Sequence, residues 1–559
     1  MCLGRDSNPH GRFGPRDFKS LVSTISPPRH FPGAKIRRLW ENAIFAVMKR
    51  FLIALLPLWL LAAACGGNNP ETPENPGNPT EKPDTPDTPD TPDTPDTPEE
   101  PPVDESLVCI DAPLLLEVPA GAELGTEGCI RVYDDLGVEA DAIDLADLAG
   151  VTVRSDGQMI PKAQITTETL YTTTMDVVPS GSRYRIIHYT PLRLTEKGLE
   201  IKLHSGVLDF GKEYTVTVDA GVVKGHSGVV AGAWTVKTKA KPASTSELKV
   251  NADGSADFCT IQGAVTYAGK LGKATAVTIS VADGTYHETL FIRDKNNLTI
   301  RGNSHYRTIL SYANNESWEG GSGASTSTKG RPGRAIGTSG GRGIILAENC
   351  DNLVFEDLTL QNTFGELKGQ AEVIYFNSSN KMTIENCVLL SLQDTFLCKG
   401  TVYVHKSLIA GHCDFIWGYP KACLFEDCEI RAEAAGYIVQ ARIQSASDKG
   451  FVFLNCKLTA AEGVKAGSMY LARSGGDAKV FDNVTFIGCA MDAVIAPAGW
   501  YTSPSPNPAS PSAASGWKEY GSTNLSGKAL DLGLRSRSGH ILTAAEAEAF
   551  SSREAVLGN

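Results

Sequence analysis

Two carboxylates stand in otherwise apolar, strand-like stretches: Asp394 in Gln393-Asp394-Thr395-Phe396, and Asp414 in Gly411-His412-Cys413-Asp414-Phe415-Ile416-Trp417-Gly418. A lone Asp is costly to bury in such surroundings, so both positions call for a chemical role. They lie twenty residues apart, close to the step at which the surrounding sequence repeats. One repeat of a coiled strand array would bring both carboxylates to the same face of neighbouring strands. Two carboxylates that close cannot easily both be ionised, and one should keep its proton near neutral pH. That division supplies a nucleophile and a general acid from identical side chains. Gln393 beside Asp394, and Gln370 about one coil earlier, are amide donors suited to an oxyanion forming on a carbonyl. Arg473 in Tyr470-Leu471-Ala472-Arg473-Ser474 is the candidate cation to hold one Asp ionised and oriented, two or three coils on.

The elements that must position these groups are legible as repeats. Val354-Phe355-Glu356-Asp357-Leu358, Thr383-Ile384-Glu385-Asn386-Cys387, Leu424-Phe425-Glu426-Asp427-Cys428, Val452-Phe453-Leu454-Asn455-Cys456 and Val480-Phe481-Asp482-Asn483-Val484 recur along the chain. Val402-Tyr403-Val404-His405 fills the gap between the second and third. Self-similar strands with Asn or Asp at corners indicate a solenoid, here a right-handed parallel β-helix. Adjacent rungs of such a helix lie about 4.8 Å apart, so Asp394 and Asp414 are expected to stack on its outer surface. Cys387, Cys428 and Cys456 share one point in the register. An inward ladder of small apolar side chains explains them better than metal or redox chemistry, because no CxxC pair accompanies them.

At 559 residues the chain is too long for one ordinary domain. The fold class is expected to be mainly β, with 248–559 forming the β-helix. A formal charge of -12 argues against a nucleic-acid partner. Residues 107–240 alternate apolar and polar in short runs, as in Gly128-Cys129-Ile130-Arg131-Val132-Tyr133, Tyr184-Arg185-Ile186-Ile187, Tyr214-Thr215-Val216-Thr217-Val218 and Trp234-Thr235-Val236-Lys237-Thr238. This reads as a β-sandwich whose last strand resembles that of bacterial Ig-like modules. It carries no cluster of catalytic residue types and is expected to act as a spacer. Cys109 and Cys129 are candidates to pair in an oxidising compartment.

Upstream, Met48-Lys49-Arg50, the apolar run Phe51 to Leu61 and Ala62-Ala63-Ala64-Cys65 resemble a lipoprotein signal, too short for a comfortable bilayer span. Residues 1–47 are read as an over-extended start, 48–64 as the signal, and Cys65 as the acylated residue of the mature protein. Gly66 after it favours an outer-membrane lipoprotein. Residues 65–106 are a tether, with five Pro-Asp-Thr units between Pro83 and Thr97 and nothing to bury.

Taken together, the stretch from about 248 to 545 resembles a pectin methylesterase of the carbohydrate esterase type. The resemblance rests on Ala252-Asp253-Gly254-Ser255, Phe258, Thr260-Ile261-Gln262, Gly284-Thr285-Tyr286-His287-Glu288, Gln370-Ala371, the Gln-Asp-Thr string, Asp414-Phe415-Ile416-Trp417-Gly418, Leu471-Ala472-Arg473, Gly499-Trp500 and Glu519-Tyr520. It implies that Asp414 attacks the methyl ester carbonyl of a galacturonate unit and Asp394 protonates departing methanol and then activates water. It assigns Gln370 and Gln393 to the oxyanion and Arg473 to Asp414. Phe415, Trp417 and Trp500 become candidates for stacking on sugar rings, although Phe415 suits the core equally, since alternate strand residues face opposite ways. The resemblance implies no metal and no organic cofactor. The implied partner is pectin, with a membrane reached through Cys65, and the chain is expected to be a monomer.

One departure is plain: the family string after Leu runs Gly-Arg-Pro-Trp, whereas here it is Ala472-Arg473-Ser474-Gly475. The Arg is kept and the substrate-facing Trp is not; Trp417, where the family usually has Phe, is a candidate to compensate. Two other enzymes and one binding protein compete with this reading. A pectate lyase would need clustered acids for calcium, and neither Asp sits in such a cluster. An acyl hydrolase of altered specificity, acting on thioesters or other glycan esters, would keep the aspartate pair and change the rim. A non-catalytic glycan-binding β-helix would have no reason to hold Asp394, Asp414, both Gln and Arg473 together.

Overall fold

The structure is a computed structural model and describes residues 106–147, 174–180, 183–189, 191–316, 327–328, 337–339, 342–367 and 369–558. They fall within one compact unit, Glu99–Asn559. The expected over-extended start, signal segment, Cys65 and the tether up to residue 105 lie outside the described residues.

The Tyr184-Arg185-Ile186-Ile187 run does not join the expected sandwich: Arg183–Tyr189 pairs with Thr174–Ser180 and, in parallel, with Gly337–Ser339 in a separate sheet. The other strands before residue 240 form two short sheets. One runs in the order Leu107–Val108, Thr235–Thr238, Glu213–Val218, Cys129–Tyr133, Glu139–Asp144; the other joins Leu114–Leu116, Gly198–Ile201 and Leu192–Thr195. Period-two patterning decides which side chains face inward. Ile130, Val132 and Val216 of the first sheet share one core with Leu114, Leu199 and Ile201 of the second. The pairing expected of Cys109 and Cys129 is not formed. Both are free thiols: Cys129 Sγ donates to Ile130 O at 3.6 Å, while Cys109 Sγ donates to Ala256 O at 3.3 Å, across the boundary to the next domain.

From Glu247 to Ile541 the strands other than Ser327–Thr328 and Gly337–Ser339 belong to one sheet of 24, wound as a parallel β-helix. One continuous rung runs Leu298, Leu353, Met382, Val402, Cys423, Phe451, Val484, Trp517, each residue paired in parallel with the next. Every member is buried, so the solenoid interior is a stack of like side chains. Phe425, Phe453 and Phe486 stack face to face at 4.7 and 4.5 Å, each such pair contributing about 0.5–1.5 kcal/mol beyond its buried area. The corners explain the recurring Asn and Asp: Asp357, Asn386, Asp427 and Asn455 all have φ between 51 and 57°, a left-handed conformation these short polar residues tolerate.

The fifth expected repeat is out of register. Val484, and not Val480 or Phe481, continues the rung, and Phe481 forms an isolated antiparallel bridge with Ile443. Thr485-Phe486-Ile487-Gly488-Cys489 is therefore the structural counterpart of Val452–Cys456. The shift extends the inward cysteine ladder to Cys489, where Sγ donates to Phe453 O at 3.4 Å, as Cys456 Sγ does to Phe425 O at 3.3 Å.

The N-terminal end of the β-helix is closed by α1 (Ile261–Lys270), which buries Ile261, Ala264, Val265 and Ala268. Its leading amides, unpaired within any helix, are met by two carboxylates. Glu288 accepts from Ile261 N at 2.8 Å and Gln262 N at 2.9 Å. Asp111, from the sandwich, accepts from Cys259 N at 3.1 Å and Thr260 N at 2.8 Å. The start of the helix is thus met both by Glu288 of the β-helix and by Asp111 from the segment before residue 240.

Candidate active site

Five strands, each stacked on the next, carry or flank the candidate aspartates and arginine: β1 (Phe396–His405), β2 (Leu408–Glu426), β3 (Glu429–Ala441), β4 (Met469–Arg473) and β5 (Trp500–Tyr501). β1 pairs with β2, β2 with β3, β3 with β4 and β4 with β5, all in parallel. Asp394 lies just before β1 and Asp414 within β2, one coil apart, with Gln393 bridged to Cys413 and Asp394 N donating to Cys413 O at 3.1 Å. Both aspartates have positive φ, 63° and 48°, which costs a non-glycine residue about 1 kcal/mol or more and is frequent at functional sites. The turn at Asp414 breaks the strand's alternation, so Phe415 and Ile416 both enter the core while the carboxylate stays outside it. Phe415 in turn requires glycine at 411, where a Cβ would stand 2.3 Å from its own Cβ.

Contrary to an open outer face, both carboxylates are covered: Asp394 is 4% and Asp414 5% exposed. Arg473, two coils beyond Asp414, donates through Nε to Oδ1 at 2.7 Å and through a terminal nitrogen to Oδ2. Burial works against the guanidinium charge, but the bond and charge of Asp414 more than offset it and hold Arg473 above its ordinary range. Gln440, on β3, donates Nε2 to Asp414 Oδ2 at 3.0 Å. Its own Oε1 accepts from Arg442 at 3.0 and 2.6 Å.

Asp394 has a different environment. Burial, then the nearby Glu372 carboxylate, push its pKa well above the carboxylate range, with Asp414 adding to the rise and Arg342 and Arg442 opposing it. Arg342 reaches Asp394 Oδ2 at 3.5 Å but bonds Glu372 Oε1 at 2.7 Å. The two glutamines are oriented by their carbonyl ends: Gln370 Oε1 accepts from Arg342 and Gln393 Oε1 from Gly369 N at 3.3 Å. The amide NH2 ends are the ones left to donate.

The aromatic candidates divide. Trp417 is nearly buried at the cleft, with Arg442 and Arg342 centred 5.0 and 5.4 Å from its ring and Tyr375 edge-on at 6.2 Å. Its indole N–H has no acceptor among the described residues. Phe415 and Trp500 do not line the site as sugar platforms: Phe415 is fully buried, and Trp500 is stacked at 5.3 Å on Trp517 inside the solenoid. The half-buried rings on the site's flank are instead Tyr437, Tyr470 and Tyr501, with Tyr501 4.9 Å from Tyr437 and 5.2 Å from Tyr470, and Arg473 5.0 Å over Tyr437. Gly475 stands in place of the absent Trp, and Ser474, where the family string has Pro, is buried and accepts from Gly476 N at 3.0 Å.

Sequence reasoning missed Gln440, Arg442, Arg342, Glu372 and the three tyrosines. A signal existed for two of them. Gln440 in Tyr437-Ile438-Val439-Gln440-Ala441, and Glu372 in Ala371-Glu372-Val373-Ile374, are lone polar groups in apolar runs, the same feature that marked the aspartates. Arg342 has no such context.

A parallel β-helix bearing a buried aspartate pair, one member gripped by an arginine, is an arrangement suited to acyl transfer through a carboxylate. The Pectinesterase family model matches residues 247–559, and the chain belongs to the pectinesterase family. Pectinesterase 31 from Arabidopsis thaliana is 33% identical over 263 residues, covering 46% of this chain and 78% of the relative. Pectinesterase/pectinesterase inhibitor U1 from Solanum lycopersicum is 28% identical over 275 residues, covering 46% of this chain and 42% of the relative. Among solved structures, pectin methylesterase PemA from Erwinia chrysanthemi aligns at 22% identity and a TM-score of 0.45, covering 57% of this chain and 98% of that one.

Proposed function

We propose that the protein hydrolyses methyl esters of galacturonate units in pectin, releasing methanol and leaving carboxylates on the polymer. The observation that carries this reading is the asymmetry of the aspartate pair: Asp414 is held by Arg473 and Gln440, and Asp394 by no dedicated cation. An Asp414 oxygen attacks the ester carbonyl carbon, and the Gln370 and Gln393 amides stabilise the oxyanion. Asp394 gives its proton to the departing methoxy oxygen, and methanol leaves an acyl anhydride on Asp414. The Asp394 carboxylate then takes a proton from water, whose oxygen attacks the same carbon. The acid product departs and both aspartates return to their starting states. Trp417, with its indole donor, and the tyrosines beside Arg473 offer faces and hydrogen bonds to the sugar chain. Phe415 and Trp500 have no such part.

Methanol release by the full-length protein from highly methylated pectin tests this, with Asp414→Asn as control. Methanol from the wild type alone supports the reading. A folded wild type that releases none, but cleaves acetyl esters or thioesters, overturns it in favour of an altered acyl hydrolase.

The N-terminal signal motif supports a lipid-anchored, outer-membrane location, with the tether and an Ig-like spacer carrying a monomeric catalytic domain toward cell-wall polymer. Radiolabelled palmitate incorporation lost in Cys65→Ser checks the anchor.

A further inference from the structure

Asp414, Asp394 and Glu372 are buried together at the centre of the site, and two of them are each bonded to an arginine. Arg473 is matched by Asp414. Arg342, 8% exposed, is matched by Glu372, which is fully buried. Asp394 is the carboxylate left over. We propose that Glu372, acting through Arg342, is a positioning residue that keeps Asp394 the unmatched carboxylate of the site and so makes it the proton carrier. The proposal rests on the esterase reading for its chemistry and on the geometry of this cluster for its logic.

Arg342 stands where it has a choice of partner. Its Nε is 2.7 Å from Glu372 Oε1, a terminal nitrogen is 3.5 Å from Asp394 Oδ2, and another faces Gln370. The remaining groups toward the cluster are Glu316, 3.9 Å from Arg342 and half exposed, together with Tyr375, Asp414 and Arg442. Arg442 is engaged with Gln440 Oε1 and with Tyr419 OH at 3.2 Å, and packs on Trp417. Without the Glu372 charge, Arg342 would pair with Asp394 and hold it ionised, removing the proton that methanol needs. Without Arg342, Asp394 would hold its proton too tightly to act as base in the second half-reaction. Arg342 also fixes the Gln370 carbonyl, so one side chain orients an oxyanion donor and balances the acid.

The test is the pH dependence of kcat in wild type, Glu372→Gln, Arg342→Gln and the double variant. Glu372→Gln is expected to move the alkaline limb down by about one unit or more, with KM little changed. Arg342→Gln is expected to move the limb up and to accumulate acyl-enzyme, and the double variant to return toward wild type. Coincident alkaline limbs in the folded single variants would overturn the proposal. Infrared difference titration of Asp394, assigned by Asp394→Asn, gives the same readout without turnover. It separates failure of this inference from failure of the esterase reading, and Arg342→Gln serves alone if Glu372→Gln does not fold.

A second inference comes from the domain boundary. Cys109 Sγ, Cys259 Sγ and an Asp111 oxygen lie within 4.8 Å of one another, and both thiols are buried. Lys239 Nζ donates at 2.5 and 2.8 Å to the Gly254 and Ala256 carbonyls that also accept from Cys109. That ammonium favours a Cys109 thiolate and disfavours a metal cation at the same place. We infer that Cys109 and Cys259 form a disulfide that ties the sandwich to the cap of α1. The Cys109 thiolate attacks a small-molecule disulfide, expelling one thiolate. The Cys259 sulfur then attacks the mixed disulfide at Cys109 and expels the second, so two protein thiols are oxidised and one disulfide is reduced to two thiols.

Full-length protein treated with oxidised glutathione, then denatured, alkylated and digested without reduction, is expected to yield a linked peptide containing Cys109 and Cys259. Its melting midpoint should fall by about 3 °C or more on reduction, and Cys109→Ser should abolish that difference. Full alkylation of both thiols after oxidant treatment, or stoichiometric zinc bound there instead, would overturn the assignment.

Discussion

Arg473 grips both oxygens of Asp414 from two coils away, with Nε 2.7 Å from Oδ1 and a terminal nitrogen on Oδ2. A forked, planar contact of this kind fixes the carboxylate's plane as well as its charge. Arg473→Lys keeps a cation but only as a point charge. It is expected to lower kcat by about tenfold to a hundredfold, and Arg473→Ala by more, with thermal unfolding monitored to separate misfolding from lost chemistry.

Asp414→Asn keeps the side chain's shape and removes the carboxylate that the proposed reaction uses as nucleophile. Methanol release should fall by about a thousandfold or more, while binding of pectin oligomers, measured calorimetrically, persists. Residual hydrolysis within tenfold of wild type would place the nucleophile elsewhere.

The aromatic residues should separate by readout. Trp417→Ala and Tyr501→Ala are expected to raise KM by about tenfold, equivalent to about 1.4 kcal/mol. Phe415→Ala and Trp500→Ala remove rings from the solenoid core and should cost about 3–5 kcal/mol of stability in urea unfolding. If Trp500→Ala altered KM with stability unchanged, its burial against Trp517 would not describe its role.

Glu288 gives a prediction in pH. Burial pushes its pKa up to about 7, with the α1 amides of Gln262 and Ile261 working in the opposite direction. A folded-state pKa above the unfolded value means that folding binds a proton. Stability from this group is greatest below the unfolded value near 4.5 and declines as pH rises through about 7. The difference is on the order of 3 kcal/mol. Glu288→Gln should flatten the change in unfolding free energy between pH 4.5 and 8; an unchanged slope would contradict it.

The sequence by itself determined the periodic architecture and the candidate aspartate pair. Strand repeats, Asn and Asp at the corners, and polar residues isolated in apolar runs are local signals, and they pointed to a mainly β solenoid with Asp394 and Asp414 one coil apart. Local signals fail where side chains from different coils converge. Coil length varies: Met382 to Val402 is one step and Phe451 to Val484 is another. The register of the fifth repeat therefore had to come from pairing. Which face an aromatic ring takes was also undecided, because the φ of 48° at Asp414 breaks the alternation that would have placed Phe415. Only tertiary structure set Arg342 and Glu372 beside Asp394, Gln440 against Asp414, and Cys109 beside Cys259. Each of these contacts joins residues far apart in the chain, and it is the winding of the solenoid and the docking of the sandwich on its cap that bring them together.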